Sequence, residues 1–478
     1  MTRAYRAIVG FIRLLTWIFF RRVEVTGLEH LPGDRGGILI AWHPNGLIDP
    51  SLILAAFPRA VTFGARHGLF RWPLLGWLMR GLGTVPIYRA ADARKITDDR
   101  RRSGNRQSID ALAGAVAAGS FSALFPEGVS HDEPHPLELR TGAARLYYRA
   151  RQLADPSAPP PAIVPVGLHY DDKSVFGSRV LVAFHPPLEL PDELDVTPAE
   201  DEPGDVGRRR GRRLTEEFDR VLREVIFATD SWELHRLFMR ASSLVRAESA
   251  SRSERPPEEP RMEERALEFA RIRAGYRALL EADPDAVARL KRRVGEYDSD
   301  LRALGIEDHE LDAGPRLASP LLPLLMAVQL IVSYLLLPPV LLLGALINAP
   351  ATILMLLVTA AASRAVKDKA TLKILIGAVL YPLTWTAAGL LAARGQISLL
   401  ESYPAIPDTP VLAGLTVALL GAAGGALFLK LRTLVLESWR AARVRFTRKR
   451  RWYAVKRLKL ERSDLYDQLA AVAEGHGI

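Results

Sequence analysis

Apolar and polar positions divide this chain into stretches of different period. From Tyr5 to Phe20 apolar and aromatic residues run together, with Arg3, Arg6, Arg13, Arg21 and Arg22 spaced through and around them. Arg13 leaves the run too short to span a bilayer, so residues 1–22 predict an amphipathic helix lying in the membrane interface against anionic headgroups. Arg-Arg-Val-Glu follows where the small residues of a signal cleavage site would stand, so the helix is read as retained. Beyond it, short apolar runs end in Gly, Pro and polar residues: Gly37 to Trp42, Gly83 to Arg89, Phe121 to Phe125 after an Ala-rich helix, and Val164 to Gly167 at the end of another strand. Such runs predict buried strands, and their alternation with helical stretches predicts an α/β domain over residues 23–198.

The pattern then changes. Ala199 to Arg213 is acidic, then basic, and without period, which predicts a flexible or disordered loop. Asp155 to Pro161 is a Pro-rich loop, and Glu248 to Pro260 reads as a linker. Leu214 to Ala241 and Met262 to Leu311 carry helical spacing, the latter interrupted at Asp283-Pro284, giving a helical region over residues 199–312. Leu321 to Ala362, Ile374 to Ala393 and Val411 to Leu429 hold no charged residue. A span needs ~20 apolar residues. The last two each suit one pass and the first has room for two, so residues 320–429 predict three to four transmembrane helices.

Charge sharpens this picture. The 478 residues carry a net charge of +10, yet Lys430 to Arg462 alone holds 13 Lys/Arg against Glu437 and Glu461. Residues 430–478 therefore form a basic tail. Its neighbouring apolar helices point to a membrane surface as partner and not to nucleic acid. The basic linker Arg364 to Lys373 and the tail lie in the cytoplasm by the positive-inside rule. Four passes then place the N-terminal domain there as well, as an integral membrane protein (of the inner membrane in a bacterium). The chain has no cysteine, which excludes a thiol nucleophile and a disulfide scaffold.

The candidate chemistry centres on His43-Pro44-Asn45-Gly46-Leu47-Ile48-Asp49-Pro50. It follows a strand, and its Pro, Asn and Gly make it a turn. A His at a strand end with a carboxylate held nearby is the arrangement of a general base and its orienting group, suited to removing a hydroxyl proton. Three more segments follow: Gly83-Thr84-Val85-Pro86-Ile87-Tyr88-Arg89, Phe125-Pro126-Glu127-Gly128-Val129-Ser130-His131 and Val164-Pro165-Val166-Gly167. Each puts polar or Gly/Pro residues at a strand end, where α/β folds build their sites. Ser130-His131-Asp132 spells a hydrolase triad, but consecutive side chains point apart and form no relay. His131 and His135 lie in a Pro-interrupted loop without the geometry of a metal site, so no metal is assigned.

These blocks, spanning Val23 to Pro186, resemble the four motifs of the glycerolipid acyltransferase superfamily, which includes glycerol-3-phosphate and 1-acylglycerol-3-phosphate acyltransferases. Most of that superfamily has four residues between the His and the Asp; His43 and Asp49 have five. With FPEGVSH in place of the commoner FPEGTRS, the chain looks closest to the fungal-type glycerol-3-phosphate/dihydroxyacetone-phosphate acyltransferase branch and its bacterial relatives. Ser231-Trp232-Glu233-Leu234-His235-Arg236-Leu237 resembles that branch too.

The resemblance implies a glycerol-3-phosphate acyltransferase-like catalytic domain of α/β class, then a helical region and an α-helical transmembrane domain. It implies acyl transfer to a hydroxyl of glycerol 3-phosphate or dihydroxyacetone phosphate in phospholipid biosynthesis, with 1-acylglycerol 3-phosphate or another lysophospholipid as the alternative acceptor. No cofactor is implied beyond the acyl thioester co-substrate, acyl-CoA or acyl-carrier protein. His43 is then the base and Asp49 fixes its tautomer. Arg89 grips the acceptor phosphate, with Arg66 and Arg140 as further candidates. Pro126, Glu127 and Gly128 belong to the acceptor-binding motif: Gly128 lets the backbone approach closely, and Glu127 bonds acceptor hydroxyls or holds Arg89. A non-catalytic membrane lipid-binding scaffold has no need of His43, Asp49, Arg89 and Glu127 together.

Overall fold

The computed structural model describes residues 2–88, 97–199, 202–253, 261–312, 337–362, 366–403 and 405–475, with residue 331 besides. The chain divides into two compact units. One comprises Met1–Arg236, Pro260–Ala270 and Ala365–Thr371; the other comprises Leu237–Glu259, Arg271–Arg364 and Leu372–Ile478.

The first unit is built on a mixed sheet of β1 (Arg22–Thr26), β2 (Gly37–Ala41), β3 (Val61–Arg66), β4 (Val85–Ile87), β5 (Phe121–Leu124), β6 (Ala162–Tyr170) and β7 (Arg179–Phe184). Among the described residues the strand order is β1-β7-β6-β2-β5-β3-β4. The five strands from β6 to β4 run parallel, so their C-terminal ends share one edge. β7 returns antiparallel to β6, and β1 pairs parallel with β7. Strands covered on both faces read as near-continuous apolar runs. Every residue of β2 and β7 is buried, including Arg179, whose guanidinium bonds Asp171 at 2.7 Å.

Helices α1 (Arg3–Phe19), α2 (Ile48–Ala56) and α3 (Pro73–Gly81) pack together. Helices α4 (Asp98–Ala117), α5 (Gly142–Leu153) and α6 (Gly204–Val225) share a core with the sheet through Ile38, Ile40, Leu112, Tyr147, Ile163 and Phe218. Fully burying each such side chain stabilises by roughly 1.5–3 kcal/mol.

The structure corrects the reading of Ala199 to Arg213. Its residues from Gly204 onward form the first turns of α6. The side chains that looked aperiodic are anchored individually. Arg210 pairs with Glu202 and lies 4.9 Å over the Tyr148 ring, while Gly211 is buried one turn before Thr215. The helical stretch from Leu214 also breaks: α6 ends at Val225, and α7 (Trp232–Arg252) starts after a short turn.

The break at Asp283-Pro284 separates α8 (Met262–Ala282), whose residues up to Ala270 belong to the first unit, from α9 (Pro284–Leu304) of the second. The Asp283 carboxylate accepts the Ala286 N–H and Pro284 occupies the first turn, where it lacks nothing the helix needs. Gly305, at φ 66°, ends α9. Three long helices follow: α10 (Leu337–Ala362), α11 (Val366–Ser402) and α12 (Pro410–Arg450), then α13 (Trp452–Gly475). The stretches Val340–Ala361, Thr371–Ser402 and Pro410–Leu429 are long and apolar enough to cross a membrane. The other pass expected in Leu321 to Ala362 falls mainly on residues outside those described.

α10 and α12 meet backbone to backbone. A Cβ added to Gly424 would lie 2.7 Å from the Gly344 Cα. Asn348 donates to the Gly344 and Gly421 carbonyls and accepts the Trp385 indole N–H at 2.9 Å, joining three helices. Small residues and paired polar groups are what hold helices together in lipid.

The basic tail is helical and partly folded inward. Leu458 and Leu465 of α13 join Val444, Val294, Leu301 and Leu244 in a core. Arg462, 1% exposed, bonds Glu248 at 2.8 Å, Asp312 at 2.6 Å and the Asp308 carbonyl. Asp308 in turn receives Arg240 and the Tyr297 hydroxyl.

Candidate active site

The site forms at the shared edge where the parallel strands end. β2 stops at Ala41, and two residues later His43 projects from the turn. Asp49 does not lie in that turn, as the sequence implied; it sits in the first turn of α2. Pro50 is tolerated there because the first turn of a helix has no intrahelical partners for its N–H groups. The Leu47 N–H, one of those orphan donors, is met by the Thr371 hydroxyl at 3.2 Å. A helix N-terminus favours a carboxylate, and Asp49 is fully buried.

The ring of His43 stacks on Phe125, centroids 4.1 Å apart, and its side chain keeps 14% exposure. Its Nδ1 lies 2.8 Å from Asp49 Oδ2. A carboxylate only accepts, so Nδ1 carries the proton and Nε2 is the basic nitrogen. The same Asp49 oxygen accepts the Asn45 N–H at 2.7 Å. The other oxygen, Oδ1, accepts the Tyr170 hydroxyl at 2.5 Å. Burial, together with the neighbouring Asp49 charge, pushes the Tyr170 phenol well above its ordinary range, so it remains a donor.

The Glu127 side chain is turned into the protein. Its carboxylate is buried: Oε2 accepts the His43 N–H at 2.8 Å, and Oε1 accepts His131 at 2.6 Å and the Leu137 N–H at 3.0 Å. His131 Nδ1 accepts the Glu133 N–H, so its Nε2–H is the donor to Glu127. The His131 N–H donates to the His43 carbonyl at 3.1 Å, closing the two loops on each other. Glu127 therefore fixes the backbone that carries His43.

Gly128 adopts φ 69°, a conformation that costs a side chain about 1–2 kcal/mol. It is exposed, with Arg140 Cγ 3.9 Å from where its Cβ would stand. Pro126 is buried and its carbonyl accepts the Arg140 N–H. Arg66 ends β3 at the same edge of the sheet as His43. Arg89 lies outside the described residues. Val164 to Gly167 does not end its strand: β6 continues to Tyr170, past the level where β2 stops.

That overhang brings in residues the sequence reading missed. Besides Tyr170, Asn45 is fully buried and its side-chain amide donates to the Lys173 carbonyl. The Lys173 ammonium donates to the Pro44 carbonyl at 2.9 Å and pairs with Asp132 at 2.7 Å. The signal available was positional: Tyr170 is the polar residue at the C-terminal end of the fourth apolar block.

The structure thus holds a histidine against a buried carboxylate at the strand ends of an α/β scaffold, and residues 22–169 match the family model described as Acyltransferase. The matched segment spans the seven-stranded sheet from β1 into β6, with His43 and Asp49, and is similar to an acyltransferase domain. It is 26% identical over 189 residues to glycerol-3-phosphate O-acyltransferase 2 of Saccharomyces cerevisiae. The match spans 39% of this chain and 23% of that relative, so the chain covers under a quarter of the yeast protein's length. It is also similar to the crystal structure of the 1-acyl-sn-glycerophosphate (LPA) acyltransferase PlsC from Thermotoga maritima, at 21% identity and a TM-score of 0.30, over 46% of this chain and 79% of that one.

Proposed function

We propose that this protein is a membrane-bound acyltransferase that moves a fatty acyl group from a thioester, acyl-CoA or acyl-carrier protein, to a hydroxyl of glycerol 3-phosphate or dihydroxyacetone phosphate. The carrying observation is the 2.8 Å bond between His43 Nδ1 and Asp49. It leaves Nε2 as the nitrogen that takes the acceptor's hydroxyl proton. The oxygen then attacks the thioester carbonyl, and the tetrahedral intermediate collapses with cleavage of the C–S bond. The departing thiolate recovers the proton from the imidazolium. Asp49 stabilises that imidazolium without itself being protonated. Because the thioester arrives activated, no acyl-enzyme is needed.

Arg66 and Arg89 are proposed to hold the acceptor phosphate, with Gly128 giving it close access to the backbone. The three apolar stretches anchor the protein in the membrane. The basic residues Arg448, Lys449 and Arg450 at the end of α12 support a cytoplasmic tail, and a fourth pass within Leu321 to Ala362 then puts the catalytic domain on the same side.

The test is acyl transfer by detergent-purified protein with labelled acyl-CoA, offered glycerol 3-phosphate, dihydroxyacetone phosphate or 1-acylglycerol 3-phosphate in parallel. Product from glycerol 3-phosphate supports the first-step reading. Product from 1-acylglycerol 3-phosphate alone moves the enzyme one acylation later.

A further inference from the structure

We propose that Tyr170 is a positioning residue of this transfer: its hydroxyl fixes the Asp49 carboxylate in the orientation that presents Oδ2 to His43. The proposal rests on the reading of His43 as the base. Asp49 receives three donors, divided between its oxygens: the His43 ring and the Asn45 N–H on Oδ2, and Tyr170 on Oδ1. His43 and Asn45 lie in the short turn that leads directly into the first turn of α2, six and four residues before Asp49, and move with it. Tyr170 reaches it from β6, 121 residues further on, and is the donor that ties the carboxylate to the rigid sheet.

The placement follows from the fold. β2 ends at Ala41 opposite Val166, whereas β6 runs on to Tyr170 and is held there by its pairing with Val180 of β7. The Phe20 ring lies against the Tyr170 ring, centroids 6.1 Å apart, and helps to confine it. A residue on a strand holds a side chain more firmly than one on a loop.

The hydroxyl also governs charge. A donor on Oδ1 disperses the Asp49 charge and so moderates its pull on the imidazolium. Removing it leaves the carboxylate able to stabilise the protonated ring more strongly, which makes His43 harder to deprotonate. The other titratable groups around the pair are Glu127 and His131 behind the His43 backbone, and Lys173, whose ammonium is paired with Asp132. All three are common to wild type and variant, so the difference between their pH profiles isolates Tyr170.

The experiment compares wild type, Tyr170→Phe and His43→Ala in the same detergent, with labelled acyl-CoA and whichever acceptor, glycerol 3-phosphate or 1-acylglycerol 3-phosphate, the wild type acylates. Tyr170→Phe removes one oxygen and keeps the ring. It is expected to lower kcat on the order of tenfold, the worth of a hydrogen bond to a charged group. Both KM values stay unchanged, and the acid limb of the pH–rate profile moves to higher pH by on the order of half a unit. A 3-fluorotyrosine at position 170, a stronger donor of similar shape, is expected to move that limb the other way. Wild-type kcat and pH profile for Tyr170→Phe, with His43→Ala inactive, overturn the proposal and leave the reading of His43 standing. A slower variant with an unmoved acid limb also overturns it, since that is the mark of altered packing alone. A fully active His43→Ala removes the reading beneath it.

Discussion

The backbone N–H of His43 donates to Oε2 of Glu127 at 2.8 Å, across 84 residues of sequence. The bond joins the ends of two neighbouring parallel strands, β2 and β5, just where the base is carried. Every donor on Glu127 is either main chain or the buried His131 ring, so the carboxylate must accept on both oxygens. Glu127→Gln places an NH₂ against one of these donors. The expected loss is about 1–3 kcal/mol of stability, the cost of leaving a buried donor unmet, with a fall in kcat larger than any rise in acceptor KM. Thermal unfolding and steady-state kinetics measure both. An effect confined to acceptor KM would return Glu127 to the acceptor site.

Acid stability should follow His235. Its ring packs between Trp232 and Phe269, at 5.3 and 5.1 Å, and burial pushes its pKa down from 6.5 to about 4. The folded protein keeps the ring neutral while the unfolded chain protonates it. Stability is therefore lost as pH falls from 6.5 toward 4, by at most ~3 kcal/mol. Burial lowers the His185 pKa as well, and the two act in the same direction. His235→Phe is expected to flatten the decline of melting temperature over that window. An unchanged slope would mean that the ring is already charged or already solvated.

Within the apolar helices, Gly424 and Gly395 should behave oppositely. A Cβ on Gly424 would come within 2.9 Å of the Val340 carbonyl as well as striking Gly344, whereas one on Gly395 would meet nothing within 4 Å. Gly424→Leu is expected to cost roughly 1–3 kcal/mol through overpacking; Gly395→Ala should be neutral or slightly stabilising. The check is resistance to thermal aggregation in detergent. Equal tolerance at both positions would contradict the close crossing of α10 and α12.

Arg462 offers a separate test of the C-terminal helices. Its guanidinium is the shared partner of Glu248 and Asp312. Arg462→Ala removes the buried partner while Glu248 keeps Arg252 and Asp312 keeps Lys459, so the expected cost is roughly 1–3 kcal/mol, whereas an exposed residue such as Arg450 should tolerate the same change. Urea unfolding of both variants distinguishes a folded helical core from a solvated tail.

The site was legible where local pattern and strand ends coincide. The apolar runs before His43 and Pro126 are β2 and β5, and the pause at Asp283-Pro284 is a helix start with its capping carboxylate. What escaped depends on partners distant in sequence. Glu127 and Tyr170 make their decisive bonds 84 and 121 residues away, and no periodicity encodes such a bond. Asp49 was placed in a turn because Pro50 discourages helix, yet a proline in the first turn interrupts nothing. The first turns of α6 were hidden by their arginines, whose long stems and planar heads cover apolar surface while reading as solvated charge.

The central claim is that His43, held by Asp49, is the base. The most direct measurement is kcat of His43→Ala at saturating acyl-CoA and acceptor, beside its melting temperature. The expected result is a fall on the order of 10²–10⁴ with unfolding essentially unchanged, since only a partly exposed ring is lost. A stable variant that keeps wild-type kcat would contradict the account.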